Sequence, residues 1–170
     1  MHEARKVTTP LGHNYKLSMQ DSPMTNEERQ RRSTIPYASG VGCIIYGMIC
    51  SRPYLAYAVN VVSRFMTDPG ALHWSALKWI MRYLNGSLTI DLKFKKTHHD
   101  KEPIKGYVDS DFAGNMDTRE SISSYVFTLY GIAVSVEKIA IEDNPAVAFT
   151  KLLSQANFKH CLDIVGFDKE

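Results

Sequence analysis

An α+β fold is predicted for this chain, and three observations predict it. Apolar residues recur at helical spacing across residues 37–86. After Gly86 the period changes to two, with Leu88, Ile90, Leu92 and Phe94 alternating with polar or small residues. From Asn144-Pro145 to Gly166 a third stretch again carries spaced apolar positions behind a proline, the pattern of a C-terminal helix.

Residues 1–36 read as a tail or linker. Pro10, Gly12, Pro23 and Pro36 punctuate them, and residues 20–33 are almost wholly polar. Within that stretch Thr25 can cap a short helix, with Glu28 three residues on as in a capping box. Residues 37–86 form the helical segment. Val41, Ile44, Ile45 and Met48 define one helix, which Pro53 ends or restarts because proline has no amide hydrogen and clashes with the preceding turn. Leu55, Val59, Val62 and Met66 form the face of the next. Asp68-Pro69 reads as a helix start, Trp74, Leu77, Met81 and Leu84 as its buried stripe, and Asn85-Gly86 as its stop.

Residues 87–170 form the remaining domain. The strand at Leu88–Phe94 is followed by a polar loop from Lys95 to Pro103 and a short strand from Ile104 to Val108. Residues 114–120 are a loop. Residues 123–129, the turn Tyr130-Gly131 and residues 132–136 read as a hairpin, and Lys138 to Ile141 as a further short strand. The final helix runs from about 145 to 165, with Val147, Leu152, Phe158, Cys161, Leu162 and Val165 as its apolar positions.

Bulk properties narrow the function classes. The 44% of apolar residues suffices for a packed core, and the net charge of +2 gives no electrostatic case for nucleic-acid binding by itself. Three cysteines support neither a disulfide framework nor a clustered metal site. Cys43 and Cys50, seven apart in an apolar stretch, read as buried helix positions. The odd cysteine count and the polar start from Met1 to Lys6 favour an intracellular protein, in cytoplasm or nucleus, rather than a secreted one. The apolar run Val41 to Cys50 is too short to span a bilayer. No nucleophile elbow and no glycine-rich phosphate loop occurs.

The candidate chemistry lies at Gly106-Tyr107-Val108-Asp109-Ser110-Asp111-Phe112-Ala113-Gly114. Residues two apart in a strand share a face, so Asp109 and Asp111 can both approach one cation. Solvated acids at a strand end are the simpler reading of the same spacing. Asp117 and Glu120 in the next loop can extend the cluster. His98-His99-Asp100 has no third ligand at a zinc-like spacing. Around His73-Trp74 and Trp79 to Tyr83, aromatic residues interleave with Lys78 and Arg82, a mixture that can stack bases and pair phosphates. Helical core packing accounts for most of it.

Taken in order, several segments resemble the C-terminal part of the Pol polyprotein of copia-type LTR retrotransposons, the plant elements especially. They are Val7-Thr8-Thr9-Pro10-Leu11, Pro36-Tyr37-Ala38-Ser39-Gly40-Val41-Gly42, Ser51-Arg52-Pro53, Val61-Val62-Ser63-Arg64-Phe65-Met66, His73-Trp74, Lys78-Trp79-Ile80-Met81-Arg82-Tyr83-Leu84 and the Asp109 segment. The resemblance implies a region joining the end of the reverse transcriptase to an RNase H domain, acting on RNA–DNA hybrids with Mg²⁺. It makes Asp109 the first of the RNase H metal-binding carboxylates, with Asp111 as a weak second ligand.

The departures from the family pattern carry as much information. The polymerase aspartates of the family lie upstream of what corresponds to residue 1. Ile132 to Ser135 matches the third RNase H strand, but Val136-Glu137-Lys138-Ile139 resembles the much later tail of the polyprotein. The segment with the catalytic glutamate and the second aspartate is missing between them. The family's Asn-Pro-Ala-Asp reads Asn144-Pro145-Ala146-Val147 here, so Val147 replaces the last aspartate; Thr150-Lys151 follows as in the family. Tyr54 stands where aspartate is usual, and Glu120 where lysine is usual.

Two-metal phosphodiester cleavage needs several anionic ligands around both ions. The expectation is therefore an internally deleted Pol fragment without activity: helices, then a small incomplete RNase H-like sheet, then a C-terminal helix. Loss of the helix that covers one face of the sheet should leave apolar surface or an unpaired strand edge exposed. Two alternatives stand beside it. One is an active RNase H completed by Asp111, Asp117 and Glu120 or by another chain. The other is a nucleic-acid-binding module using Lys78 and Arg82.

Overall fold

The structure, a computed structural model, describes residues 5–92, 104–129, 145–164 and 167–169. The elements bear out a mixed α+β chain. Four helices come first: α1 (Asn26–Arg32), α2 (Tyr37–Ser51), α3 (Ala56–Ser63) and α4 (Ala71–Gly86). Strands β1 (Ile90–Leu92), β2 (Ile104–Ser110) and β3 (Ser123–Leu129), helix α5 (Gln155–Ile164) and strand β4 (Phe167–Lys169) follow. Two compact units result. One contains residues 1–88 and 116–118, the other residues 89–115 and 119–170.

The first unit is a helical cluster. Val41 and Ile44 from α2, Ala58, Val59 and Val62 from α3, and Ala76, Leu77 and Ile80 from α4 are all buried. The Tyr37 hydroxyl donates to the Val62 carbonyl at 2.8 Å, and burial pushes its pKa well above the usual phenol range. Arg52 caps the break before α3, donating to the Ser87 carbonyl at 2.7 Å and the Tyr54 hydroxyl at 2.8 Å. Among the described residues no single helix is long and apolar enough to cross a membrane.

Local signals place most helix ends. Thr25 Oγ1 accepts the Glu28 amide hydrogen at 3.2 Å, as a cap should. The Glu28 side chain turns instead to Arg32, 3.3 Å away. Pro53 restarts the chain as a short 3₁₀ turn, Pro53–Leu55, ahead of α3. Gly86 ends α4.

Several expectations need correction. Residues 1–36, read as a tail or linker, include core residues: Leu11, Tyr15 and Leu17 are buried. The Tyr15 hydroxyl donates to the Ser75 carbonyl at 3.3 Å, and Trp79 Nε1–H donates to the Thr9 carbonyl at 3.0 Å. These contacts, with the Ser18 carbonyl 3.1 Å from His73 Nε2 and Asp21 against Gly70, strap residues 9–21 onto α4 and its start. The buried stripe of α4 is His73, Ala76, Leu77, Ile80 and Tyr83: of the predicted Trp74, Leu77, Met81 and Leu84, Leu77 is buried as expected, and at the other three positions the preceding residue is buried instead. The helix starts at Ala71 behind Gly70, not at Asp68-Pro69: extended Gly70 is the N-cap, and its amide donates to the side chain of His73, three residues on, at 2.8 Å. Cys43 and Cys50 are exposed, since Val41 and Ile44 turn the opposite side of α2 inward. Met66 is also exposed, past the end of α3, and Phe65 is buried in its place.

The second unit contains two small antiparallel sheets. Strands β2 and β3 pair from Ile104↔Leu129 to Ser110↔Ser123. The predicted strand after Gly86 shortens to β1, which pairs with β4, a strand the sequence pattern did not suggest. The predicted C-terminal helix divides into a 3₁₀ turn, Pro145–Phe149, and α5. One face of the β2–β3 pair holds buried Tyr107 and half-buried Val126. The other exposes Val108, Tyr125 and Phe127, at 70%, 72% and 64%, the uncovered apolar surface that was expected. The Phe127 ring lies over Gly106, where a β-carbon would crowd it at 3.0 Å. The predicted turn at Tyr130-Gly131, the strands at 132–136 and 138–141, and His98-His99-Asp100 lie outside the described residues.

Candidate functional site

Asp109 lies near the end of β2, opposite Ser124 on β3. Ser124 Oγ donates to the Ala146 carbonyl at 2.8 Å, tying the hairpin to the 3₁₀ turn. Pro145 opens that turn with its φ already set. Its carbonyl at Val147 then accepts the Thr150 and Lys151 amide hydrogens at 3.2 and 3.0 Å. Those bonds aim both side chains at Asp109. Thr150 Oγ1 donates to Asp109 Oδ2, and Lys151 Nζ donates to Oδ1 at 3.2 Å.

The site is partly shielded. The Asp109 side chain is 13% exposed and that of Lys151 40%. Thr150 and Val147 are buried. Both carboxylate oxygens therefore already have hydrogen-bond donors, one of them an ammonium. A divalent cation at Asp109 would have to displace Lys151 or share the carboxylate with it.

Asp111 does not join this site. Its Oδ1 accepts the Ile122 amide hydrogen at 2.5 Å, and its own amide donates to the Ile122 carbonyl at 3.0 Å. The carboxylate folds back over Gly114, where any β-carbon would strike it. Strand alternation implied a shared face with Asp109, but Asp111 lies one residue beyond the end of β2, where the chain turns. Ala113 and Arg119 hold the loop in left-handed backbone, with φ of 50° and 60°. Asp117 accepts the Met19 amide hydrogen at 3.0 and 3.1 Å, within the first unit. Among the described residues no three His, Cys, Asp or Glu side chains come together as a metal could require. Among the described residues, Asp109 with Thr150 and Lys151 does not supply the several carboxylates that a pair of Mg²⁺ ions needs.

Lys78 and Arg82 sit on α4 as expected, and each covers an aromatic ring. Lys78 Nζ is 5.9 Å from the Trp74 ring centre, and the Arg82 guanidinium 4.9 Å from that of Trp79. Trp79 is itself committed to the strap, with Tyr15 edge-on at 5.7 Å. Arg82 Nε is buried without a hydrogen-bond partner. One face of each ring thus carries a basic side chain of the same helix. Sequence reasoning missed Thr150 and Lys151 as the partners of Asp109. They lie 41 and 42 positions away, and no local pattern joins them.

Comparison with known proteins adds an independent line. The retrovirus-related Pol polyprotein from transposon TNT 1-94 of Nicotiana tabacum is 46% identical over 136 residues, 79% of this chain and 10% of that polyprotein. The Pol polyprotein from transposon RE1 of Arabidopsis thaliana is 33% identical over 129 residues, 76% of this chain and 8% of its own length. The homologues of this chain are retrovirus-related Pol polyproteins of transposons, of which it matches a segment. It spans a tenth or less of these Pol relatives. A protein named secreted RxLR effector protein 161, from Plasmopara viticola, is 46% identical over 101 residues, 59% of this Pol-related chain and 70% of its own length. No family model matches the chain, and no solved structure does.

Proposed function

We propose that this chain derives from the distal reverse-transcriptase and RNase H region of a copia-type Pol polyprotein and does not cleave RNA–DNA hybrids. One observation carries the reading: the Asp109 carboxylate is engaged from within the chain by Thr150 and Lys151. Val147, one turn before them, offers a buried isopropyl group and no oxygen. Magnesium keeps an ordered shell of oxygen ligands and parts with its waters reluctantly. Asp109 facing an ammonium group cannot organise two such ions. What was a cation-binding carboxylate in the ancestor serves here as a structural anchor for the 145–151 segment.

The test is cleavage of a labelled RNA–DNA hybrid in Mg²⁺ and in Mn²⁺, with the chain and with its Asp109→Asn variant. No product is expected from either. Turnover that disappears in Asp109→Asn overturns the proposal. Thermal melts with and without Mg²⁺ give a second readout. A cation that binds only the folded state raises the midpoint in proportion to its occupancy, and no rise is expected.

A further inference from the structure

We propose that His73 is a pH-sensitive latch, holding the strap of residues 9–21 against the start of α4 while neutral and releasing it when protonated. His73 is fully buried, and both of its ring nitrogens are used. The Gly70 amide donates to Nδ1 at 2.8 Å. Nε2 lies 3.1 Å from the Ser18 carbonyl oxygen, which can only accept, so Nε2 carries the hydrogen. One face of the ring stacks on Phe65, at 4.0 Å and 7°. These contacts are satisfied by one neutral tautomer and by no other protonation state. A proton on Nδ1 would point a donor at the Gly70 donor.

The backbone has no slack to absorb that clash. A β-carbon on Gly70 would fall on the Asp21 carbonyl, so residues 18–21 rest directly on the helix start. Three carboxylates face the imidazole: Asp21 from the strap, Asp68 from the turn before α4, and Asp117 from residues 116–118. All three favour the charged ring, and each is otherwise engaged. Asp21 accepts the Ser18 amide at 2.9 Å, Asp68 pairs with Arg29, and Asp117 accepts the Met19 amide. Burial outweighs them and lowers the His73 pKa below its ordinary 6.5. The sign follows. The unfolded or released segment binds the proton more readily, so the strap's stability is complete above pH 6.5 and falls as pH drops below it.

Trp79 reports on the strap, because its indole N–H bonds Thr9 and its ring meets Tyr15. The chain has two tryptophans, so Trp74→Phe leaves Trp79 alone. Titrating that variant from about pH 7.5 to about pH 5 spans the range in which histidine changes charge. Its emission should shift to the red, with a midpoint below that of a free histidine and helical circular dichroism retained. Adding His73→Gln, which keeps a capping-box acceptor for the Gly70 amide but cannot titrate, should abolish the shift. A shift that persists with glutamine, an emission that stays constant to about pH 5, or ellipticity lost along with the emission each overturns the proposal. If His73→Gln does not fold, NMR titration of the His73 ring in the Trp74→Phe chain decides. Its midpoint must coincide with that of the emission, and a mismatch overturns the latch.

Discussion

Leu11 lies in a stretch whose proline and glycine content reads as a tail, yet it is only 2% exposed. Replacing it with alanine removes a buried isobutyl group and leaves a void in the first unit. Leu→Ala at buried sites costs about 2–5 kcal/mol, depending on how far the surroundings collapse. Around Leu11 the strap is held by single hydrogen bonds at Thr9 and Tyr15 and has more freedom to settle than a helix does. That argues for the lower half of the range, about 3 kcal/mol. Met24→Ala is the control: Met24 lies in the same N-terminal region, is 81% exposed, and should change stability by less than ~0.5 kcal/mol. Urea unfolding followed by tryptophan emission measures both. With a urea slope of about 1–3 kcal/mol/M, the Leu11→Ala midpoint should fall by about 1–3 M at unchanged slope. If Leu11→Ala and Met24→Ala melt alike, residues 9–17 are not part of the core, and the strap and its latch fail with them.

Two further perturbations test the remaining geometry. Gly70→Ala should destabilise the first unit by about 2–4 kcal/mol, because the new methyl meets the Asp21 carbonyl and the backbone must move; a thermal melt within a degree of the parent would refute the close approach. A double-mutant cycle with Asp109→Asn and Lys151→Met should give a coupling of about 1 kcal/mol, between the values for exposed and buried pairs because Lys151 is 40% exposed. The coupling should shrink in high salt, and strictly additive effects in low salt would remove Lys151 as the counter-ion of Asp109.

The two most informative sites in the sequence fared differently in three dimensions. Asp109 and Asp111 were legible as a pair because strand alternation is a local rule. The structure separates them because β2 ends at Ser110, and Asp111 closes on Ile122 instead of on a shared cation. Lys78 and Arg82 were legible as a basic and aromatic mixture, and the structure places each of them over a tryptophan ring of the same helix. Trp74, expected in the buried stripe of α4, is only half-buried, while His73 is fully buried. A stripe read from periodicity alone cannot say which neighbour arrives. Here the strap from residues 9–21 selects His73.

The sequence by itself determined the cap at Thr25, the restart at Pro53, the stop at Gly86 and the change of period after it. These rest on caps, prolines, glycines and spacings within a few residues, and local sterics enforce them. The likeness to transposon Pol polyproteins was legible too, through long motifs in a fixed order. Tertiary structure alone decided that Leu11, Tyr15 and Leu17 are core, that β1 finds β4, and that Asp109 faces Thr150 and Lys151. Each of these joins groups 41 to 79 positions apart, such as Asp109 with Thr150 and Ile90 with Lys169. The favourable energy in such contacts comes from burial and from satisfying polar groups away from water, and neither exists until the chain has closed on itself.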